Sequence, residues 1–218
     1  MLATQELLNQ ATIGYDWEGD ITTDFPLAIM QECAEAHDHL GWKWWTKQPV
    51  NLPAAQMEVV DILHFVLAQE LQNKYDYALD DRQLVEKLYL DYRSKTVTVE
   101  LGHLTYDPSS STPRLITLIS GLAATRRVSF GLTCLLAEKL GLEFTALYRL
   151  YSCKATLNLF RQKNGYKIGK YKKLWDGKLE DNDVLQRDLA PTIDWDKPGA
   201  AHDLYHKLEE AYAIVLDR

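Results

Sequence analysis

Two carboxylate pairs set the chemistry open to this chain: Glu32-Cys-Ala-Glu35 and Glu58-Val-Val-Asp61. Each places two acids at i and i+3, so both side chains project from one face of a helix. The second pair lies inside Met57–Leu67, a run that is apolar on nearly every side. A helix apolar all round is a buried one. Two buried anions are costly unless something positive compensates them, and Met57–Leu67 contains no Lys or Arg. Four carboxylates from two helices make an oxygen cage suited to Mg²⁺. Such an ion bridges phosphate oxygens, neutralises developing charge and orients water, and one of the four acids could serve as general base. For Glu32 and Glu35 alone a solvated face is the simpler reading, because Ile29, Met30, Cys33, Ala34 and Leu40 already supply an apolar side. The two pairs together favour the metal.

A second constellation is cationic. Lys154, Asn158 and Arg161 stand at i, i+4 and i+7, one stripe on a helix. Tyr166, Lys167, Lys170, Tyr171, Lys172 and Lys173 follow directly. Arg supplies a planar fork and Lys point charges, which suits a triphosphate. The plainer alternative is an exposed basic helix end favoured by the helix dipole. The segment Gly41-Trp-Lys-Trp-Trp45 follows the first carboxylate helix. Its three Trp rings cannot all face one core, so at least one is expected to line a pocket. His64 and Phe65 lie one turn beyond Asp61; a buried His is more often a satisfied core group, while Phe65 could stack on a base. His37-Asp38 matches part of the HD-domain phosphohydrolase pattern, but that class needs an upstream His and none precedes His37. His37 and Asp38 are therefore read as surface or supporting groups. No Walker-type loop, Gly-x-Ser-x-Gly elbow or Cys-x-x-Cys pair occurs.

The elements that position these residues read as helices almost throughout. The expected helices are Leu2 to about Thr12; Asp24 (cap) with Pro26 in the first turn to near Gly41; about Pro53 to Gln72, capped by Asn51; Asp80 to near Ser94; Thr112-Pro113 to about Val128; about Gly131 to Leu140; Leu142 to about Lys163; and about Gly199 to Leu216. Thr96–Leu101 alternates like a short strand with no convincing partner nearby. Asp107–Pro113 is a loop, as is the Gly- and Lys-rich stretch 165–177. The expected fold class is all-α: a helical-bundle core in a single domain, 1–218, with residues 74–127 as an inserted helical segment that carries none of the motifs.

Composition narrows the partners. A net charge of −7 over 218 residues argues against a nucleic-acid polymer, which needs a broad basic surface. A single nucleotide needs only local cations. Cys33, Cys134 and Cys153 lack metal spacing and sit in apolar stretches, so they read as buried small hydrophobes in a reduced compartment. No signal peptide and no apolar run of membrane length is visible. A cytoplasmic protein without membrane association is expected.

At these motifs the chain resembles a known family. Glu-x-x-Glu, then Trp-Lys-x-Trp, then Glu-x-x-Asp with His-Phe, is followed by Lys154-x-x-x-Asn158-x-Phe160-Arg161-x-x-x-Gly165-Tyr166-Lys167-x-Gly169-x-Tyr171-x-Lys173-x-Trp175. This is similar to the dimeric all-α dUTPases, relatives of the MazG-like nucleotide pyrophosphohydrolases. Gln5-Glu-Leu-Leu-Asn9 and Trp17-Glu18 fit as well. The resemblance covers about Gln5–Asn73 and Phe130–Leu185 and is weak between. It implies Mg²⁺-dependent hydrolysis of dUTP, and of dUDP, to dUMP by a homodimer. Glu32, Glu35, Glu58 and Asp61 would hold the metal, and one of them would activate water. Gln5, Asn9, Trp42, Trp45, His64 and Phe65 would surround the uracil. Asn158, Lys154, Arg161, Tyr166 and Lys173 would hold sugar and phosphates, under a C-terminal loop closing as a lid. Two positions depart from the pattern: Thr46 stands where relatives often have Lys, and Ala155 where many have Asn. Some phage relatives also accept dCTP, so a dCTP/dUTP pyrophosphohydrolase is one alternative. A nucleotide-gated regulatory protein that presents 74–127 to a partner is another.

Overall fold

The structure, a computed structural model, describes residues 1–20, 22–94, 99–101, 104–175 and 178–216. The fold is all-α, as expected. It divides into a central unit, Leu2 with Glu18–Tyr148, and a terminal unit, Met1 with Ala3–Trp17 and Arg149–Arg218. Helix α1 spans Leu2–Thr12 and, apart from Leu2, belongs to the terminal unit.

Local caps start the two helices that carry the carboxylates. Asp24 accepts a hydrogen bond from the Leu27 amide at 3.1 Å to open α2 (Phe25–His39). Asn51 does the same for Ala54 at 3.3 Å to open α3 (Leu52–Asp76). Pro26 and Pro53 fall in the first turns, where a missing N–H costs nothing. The central unit continues with α4 (Asp81–Ser94), α5 (Thr112–Ala124) and α6 (Phe130–Lys139). Helix α2 lies on α3, α5 packs on α2, and α6 meets α3, α4 and α5. Ile29, Cys33, Ile62, Leu63, Val66, Leu115, Ile116 and Leu132 are all buried between them. Thus α4 and α5, from the 74–127 segment, are packed elements of this unit. Asp91 ties α4 to α6 by accepting from the Ser129 hydroxyl and the Gly131 amide, the latter at 3.0 Å. Gly131 is required there, because a Cβ would meet the Asp91 carbonyl oxygen at 2.3 Å.

The strand expected near residue 100 does have a partner. Val99–Leu101 (β1) pairs antiparallel with Leu104–Tyr106 (β2), Val99 opposite Tyr106. Thr96–Thr98 lie outside the described residues.

In the terminal unit, α7 (Phe144–Lys163) supplies the long element from Arg149 onward. It ends at Gly165, whose φ of +83° only glycine adopts readily. A 3-10 turn, Tyr166–Ile168, leads to a short hairpin, β3 (Leu174–Trp175) and β4 (Leu179–Glu180). Then come α8 (Asp181–Val184), a π-helical stretch Leu185–Leu189, a 3-10 turn Ala190–Thr192 and α9 (Ala200–Leu216). Glu180 and Asp183 form a reciprocal capping box at the start of α8. The core of this unit is aromatic. Tyr171, Trp175, Tyr205 and Tyr212 surround the buried Phe160 ring at 5.5–6.4 Å, all four of them edge-on. Among the described residues no helix is long and apolar enough to cross a membrane.

Candidate metal centre

Three of the four expected carboxylates converge in the central unit. One oxygen from each of Glu32, Glu58 and Asp61 lies within 4.8 Å of the other two. The sequence makes this happen by simple means. Glu32 follows the buried Ile29 by three residues on α2, and Glu58 and Asp61 are one turn apart among buried Val59, Val60 and Ile62 on α3. Packing α2 on α3 then brings the acids together. They are half-buried, the Glu58 side chain retaining 13% exposure.

The electrostatic result is a carboxyl that holds its proton. Burial, the Asp61 charge, and the hydrogen bond and charge of Glu58 push Glu32 up to about 8, with a smaller push from Glu35. Three anions this close cannot all ionise without a cation, so a proton takes the place of one. The donor set fits a hard dication: oxygen only, from side chains already gathered, with a proton that a metal would displace. Glu35 is exposed, accepts from Gln31 Nε2 at 2.9 Å and stays outside the triad.

His39 is the contact that sequence reasoning missed. Its Nε2 lies 3.2 Å from Glu58 Oε1, and its carbonyl accepts from the Asn51 amide at 2.8 Å, tying the end of α2 to the cap of α3. This polar contact to Glu58 comes from the neighbouring helix. His37 and Asp38 stand apart from the triad. His37 packs at 5.5 Å on Trp42 and reaches Thr117 Oγ1 at 3.4 Å. Asp38 pairs with Lys43 at 2.7 Å, which holds its carboxyl below the usual range.

Trp42, Trp44 and Trp45 form an edge-to-face cluster with centroids 5.3 and 5.5 Å apart. All three are exposed, from 42% for Trp42 to 87% for Trp44. Gly41 starts that loop at φ +62°, and a Cβ there would sit 2.9 Å from the Gln48 carbonyl oxygen. His64 is buried on α3 and Phe65 is half-buried beside it.

In the terminal unit, Gln5 and Asn9 are buried and linked. Gln5 Nε2 donates to Asn9 Oδ1 at 2.8 Å, and the Tyr151 hydroxyl donates to Gln5 Oε1 at 3.1 Å. Asn9 Nδ2 has no partner among the described residues. Lys154 and Arg161 are buried too, so the stripe is not an exposed basic helix end. Arg161 donates from Nε and Nη2 to the two oxygens of Asp181, both at 2.7 Å, and from Nη1 to Asn158 Oδ1 at 3.0 Å. Asp181 is fully buried and also accepts from the Tyr171 hydroxyl at 2.8 Å. The Tyr166 ring lies 5.5 Å from the Arg161 guanidinium carbon. Lys173 pairs with Glu180 at 2.8 Å, which raises its pKa. Asp181 was invisible as a partner in the sequence, because it stands 20 residues from Arg161. Its one local signal was the capping box that begins at Glu180.

Oxygen ligands alone, drawn from adjacent helices of an all-α unit, make a site of the kind metal-assisted phosphate hydrolases use. The chain belongs to the dUTPase family, whose model matches residues 1–166. It is thus of the all-α branch and a dUTP diphosphatase, a hydrolase acting on acid anhydrides; such enzymes generally depend on a divalent metal. No curated protein matches the chain. The matched span contains all four motif carboxylates and Lys154, Asn158, Arg161 and Tyr166, while Lys173 and Asp181 lie beyond it.

Proposed function

We propose that the protein is a homodimeric, Mg²⁺-dependent dUTPase that also accepts dUDP. It would add water across the anhydride to give dUMP with pyrophosphate from dUTP, or with orthophosphate from dUDP. The observation that carries this reading is the convergence of Glu32, Glu58 and Asp61. Bound there, Mg²⁺ would supply charge neutralisation at the phosphate oxygens. The chain does the rest. Glu32, Glu58 and Asp61 hold the ion, and His39 keeps Glu58 turned toward it. Glu35, near the triad yet outside it, is the carboxylate left to take the proton of the attacking water.

The remaining assignments rest on each unit separately. In the central unit, His64, Phe65, Trp42 and Trp45 are offered to the base, the Trp pair as exposed stacking faces. In the terminal unit, the unpartnered Asn9 Nδ2 is a buried donor suited to a uracil carbonyl, and Gln5 orients it. Lys154, Arg161, Tyr166 and Lys173 are assigned to phosphates and Asn158 to the sugar. For Arg161 that role uses guanidinium hydrogens left over from Asp181, so Asp181 aims the group.

The test is product release from dUTP, dUDP, dCTP, dTTP, UTP and dATP with and without Mg²⁺. Metal-dependent turnover of dUTP and dUDP alone is the expected result. Comparable turnover of dCTP would move the protein to the dCTP/dUTP alternative with the same acids. Metal-independent turnover would overturn the reading of the triad. Light scattering of the purified chain checks the dimer.

A further inference from the structure

We propose that α9 carries a second metal site, for a borderline transition ion such as Cu²⁺, Ni²⁺ or Zn²⁺, built on His202 and His206. The two histidines stand at i and i+4, so they share one helix face. Their Nε2 atoms converge to 3.1 Å, with ring centroids 4.3 Å apart and planes nearly perpendicular at 84°. Two imidazole nitrogens at that separation can each sit about 2.0–2.1 Å from one ion. The angle at the ion is then roughly 100°, between the square-planar and tetrahedral values.

The surroundings of His206 suit this. Glu209 Oε2 lies 3.1 Å from His206 Nδ1, so the carboxylate keeps the ring proton on Nδ1 and turns the Nε2 lone pair toward His202. A carboxylate behind a ligating imidazole fixes its orientation and raises its basicity. Both rings are exposed, so an ion and its remaining water ligands have room. Lys163, whose Nζ is 3.8 Å from Glu209 Oε1, is the nearby positive group. Asp203, in the first turn of α9, offsets the helix N-terminal dipole, and Glu209 and Glu210 add negative charge further along the same helix.

Imidazole separates this site from the carboxylate triad, because oxygen-only donors suit Mg²⁺ and nitrogen donors suit Ni²⁺, Cu²⁺ and Zn²⁺. None of the proposed catalytic or nucleotide-binding residues takes part. The experiment uses the untagged full chain in excess Mg²⁺, titrated with Cu²⁺ by calorimetry and followed by pulsed electron paramagnetic resonance. The parent should bind one more Cu²⁺ than the His202→Gln/His206→Gln double variant. Its spectrum should report two equatorial imidazoles, falling to one in either single variant. Glu209→Gln should weaken Cu²⁺ binding about tenfold. Turnover of dUTP with Mg²⁺ should be the same in parent and double variant. Equal Cu²⁺ stoichiometry in parent and double variant, or an imidazole signal unchanged by the substitutions, would overturn the proposal.

Discussion

Replacing Asp181 by Asn should cost this protein more stability than any surface change in the same unit. Asp181 is fully buried and Arg161 nearly so, at 0% and 8% side-chain exposure. The carboxylate accepts from two guanidinium nitrogens at 2.7 Å, the Tyr171 hydroxyl at 2.8 Å and the Asn182 amide at 2.9 Å. Asn keeps the shape but removes the charge, and turns an amide N–H toward donors already there. Breaking a buried pair by removing one partner costs about 3–5 kcal/mol, because the other charge is left buried. At a urea slope of about 3 kcal/mol per M the midpoint falls by roughly 1–1.7 M. Asp188→Asn, which breaks the exposed pair with Arg187, should leave the midpoint where it is. The double change Arg161→Met/Asp181→Leu should recover part of the loss: it removes the uncompensated buried charge but leaves the Tyr171 hydroxyl and the Asn182 amide without their acceptor. Equilibrium urea unfolding followed by circular dichroism reads all four proteins. A midpoint for Asp181→Asn within error of the parent would refute the reasoning, and so would a double variant weaker than the single one. The double variant, assayed without urea at a temperature where its circular dichroism matches the parent, also separates two roles: if Arg161 touches phosphate, dUTP turnover falls while the fold is kept.

Three further outcomes are expected. Asp61→Ala should reduce dUTP hydrolysis by on the order of 10²–10³-fold or more, the range for losing one preorganised charge-stabilising group, with an unchanged circular dichroism spectrum. The proton on Glu32 makes the metal-free protein pH-sensitive. Between the ordinary value of 4.5 and about 8 the folded chain keeps a proton that the unfolded chain has lost, so stability falls as pH rises through that window. Glu32→Gln should flatten the slope, and Mg²⁺ added near pH 7 should release protons from the parent, read by calorimetry in buffers of different ionisation enthalpy. Gly131→Ala should lower the thermal midpoint by several degrees, because its Cβ would stand 2.3 Å from the Asp91 carbonyl oxygen. Overpacking of this kind costs about 1–3 kcal/mol, and a differential scan checks it.

What could be read without the structure was what short-range physics determines. Asp24 with Pro26 and Asn51 with Pro53 carry their signals within a few residues, and α2 and α3 begin where those caps place them. The all-round apolar character of Met57–Leu67 likewise needs only the residues themselves, and it brought the acids of α3 to attention. Contacts between distant residues were hidden. Nothing near Glu58 indicates His39, which approaches from another helix, and nothing near Arg161 indicates Asp181. The partner of β1 was missed because three-residue strands are too short for a periodic signal. The 174–192 region was missed for the same reason: a two-residue hairpin, a single turn of α-helix and π and 3-10 turns leave no repeating pattern. Lys154 and Arg161 show the converse failure, since their charge argued for solvent while the fold buries them.

The three cysteines make the chain its own unfolding clock. Cys33, Cys134 and Cys153 are all buried. Burial, helped at Cys33 by the Glu32 charge, pushes the Cys33 thiol up to about 12, and burial does the same for Cys153. Alkylating reagents need the thiolate and access to it, so each sulfur should react only when its surroundings open. Cys33 and Cys134 belong to the central unit and Cys153 to the terminal unit. Mass spectrometry of a timed alkylation can therefore follow the opening of each unit separately, with no engineered cysteine. It can also show whether a nucleotide quiets one unit, the other or both.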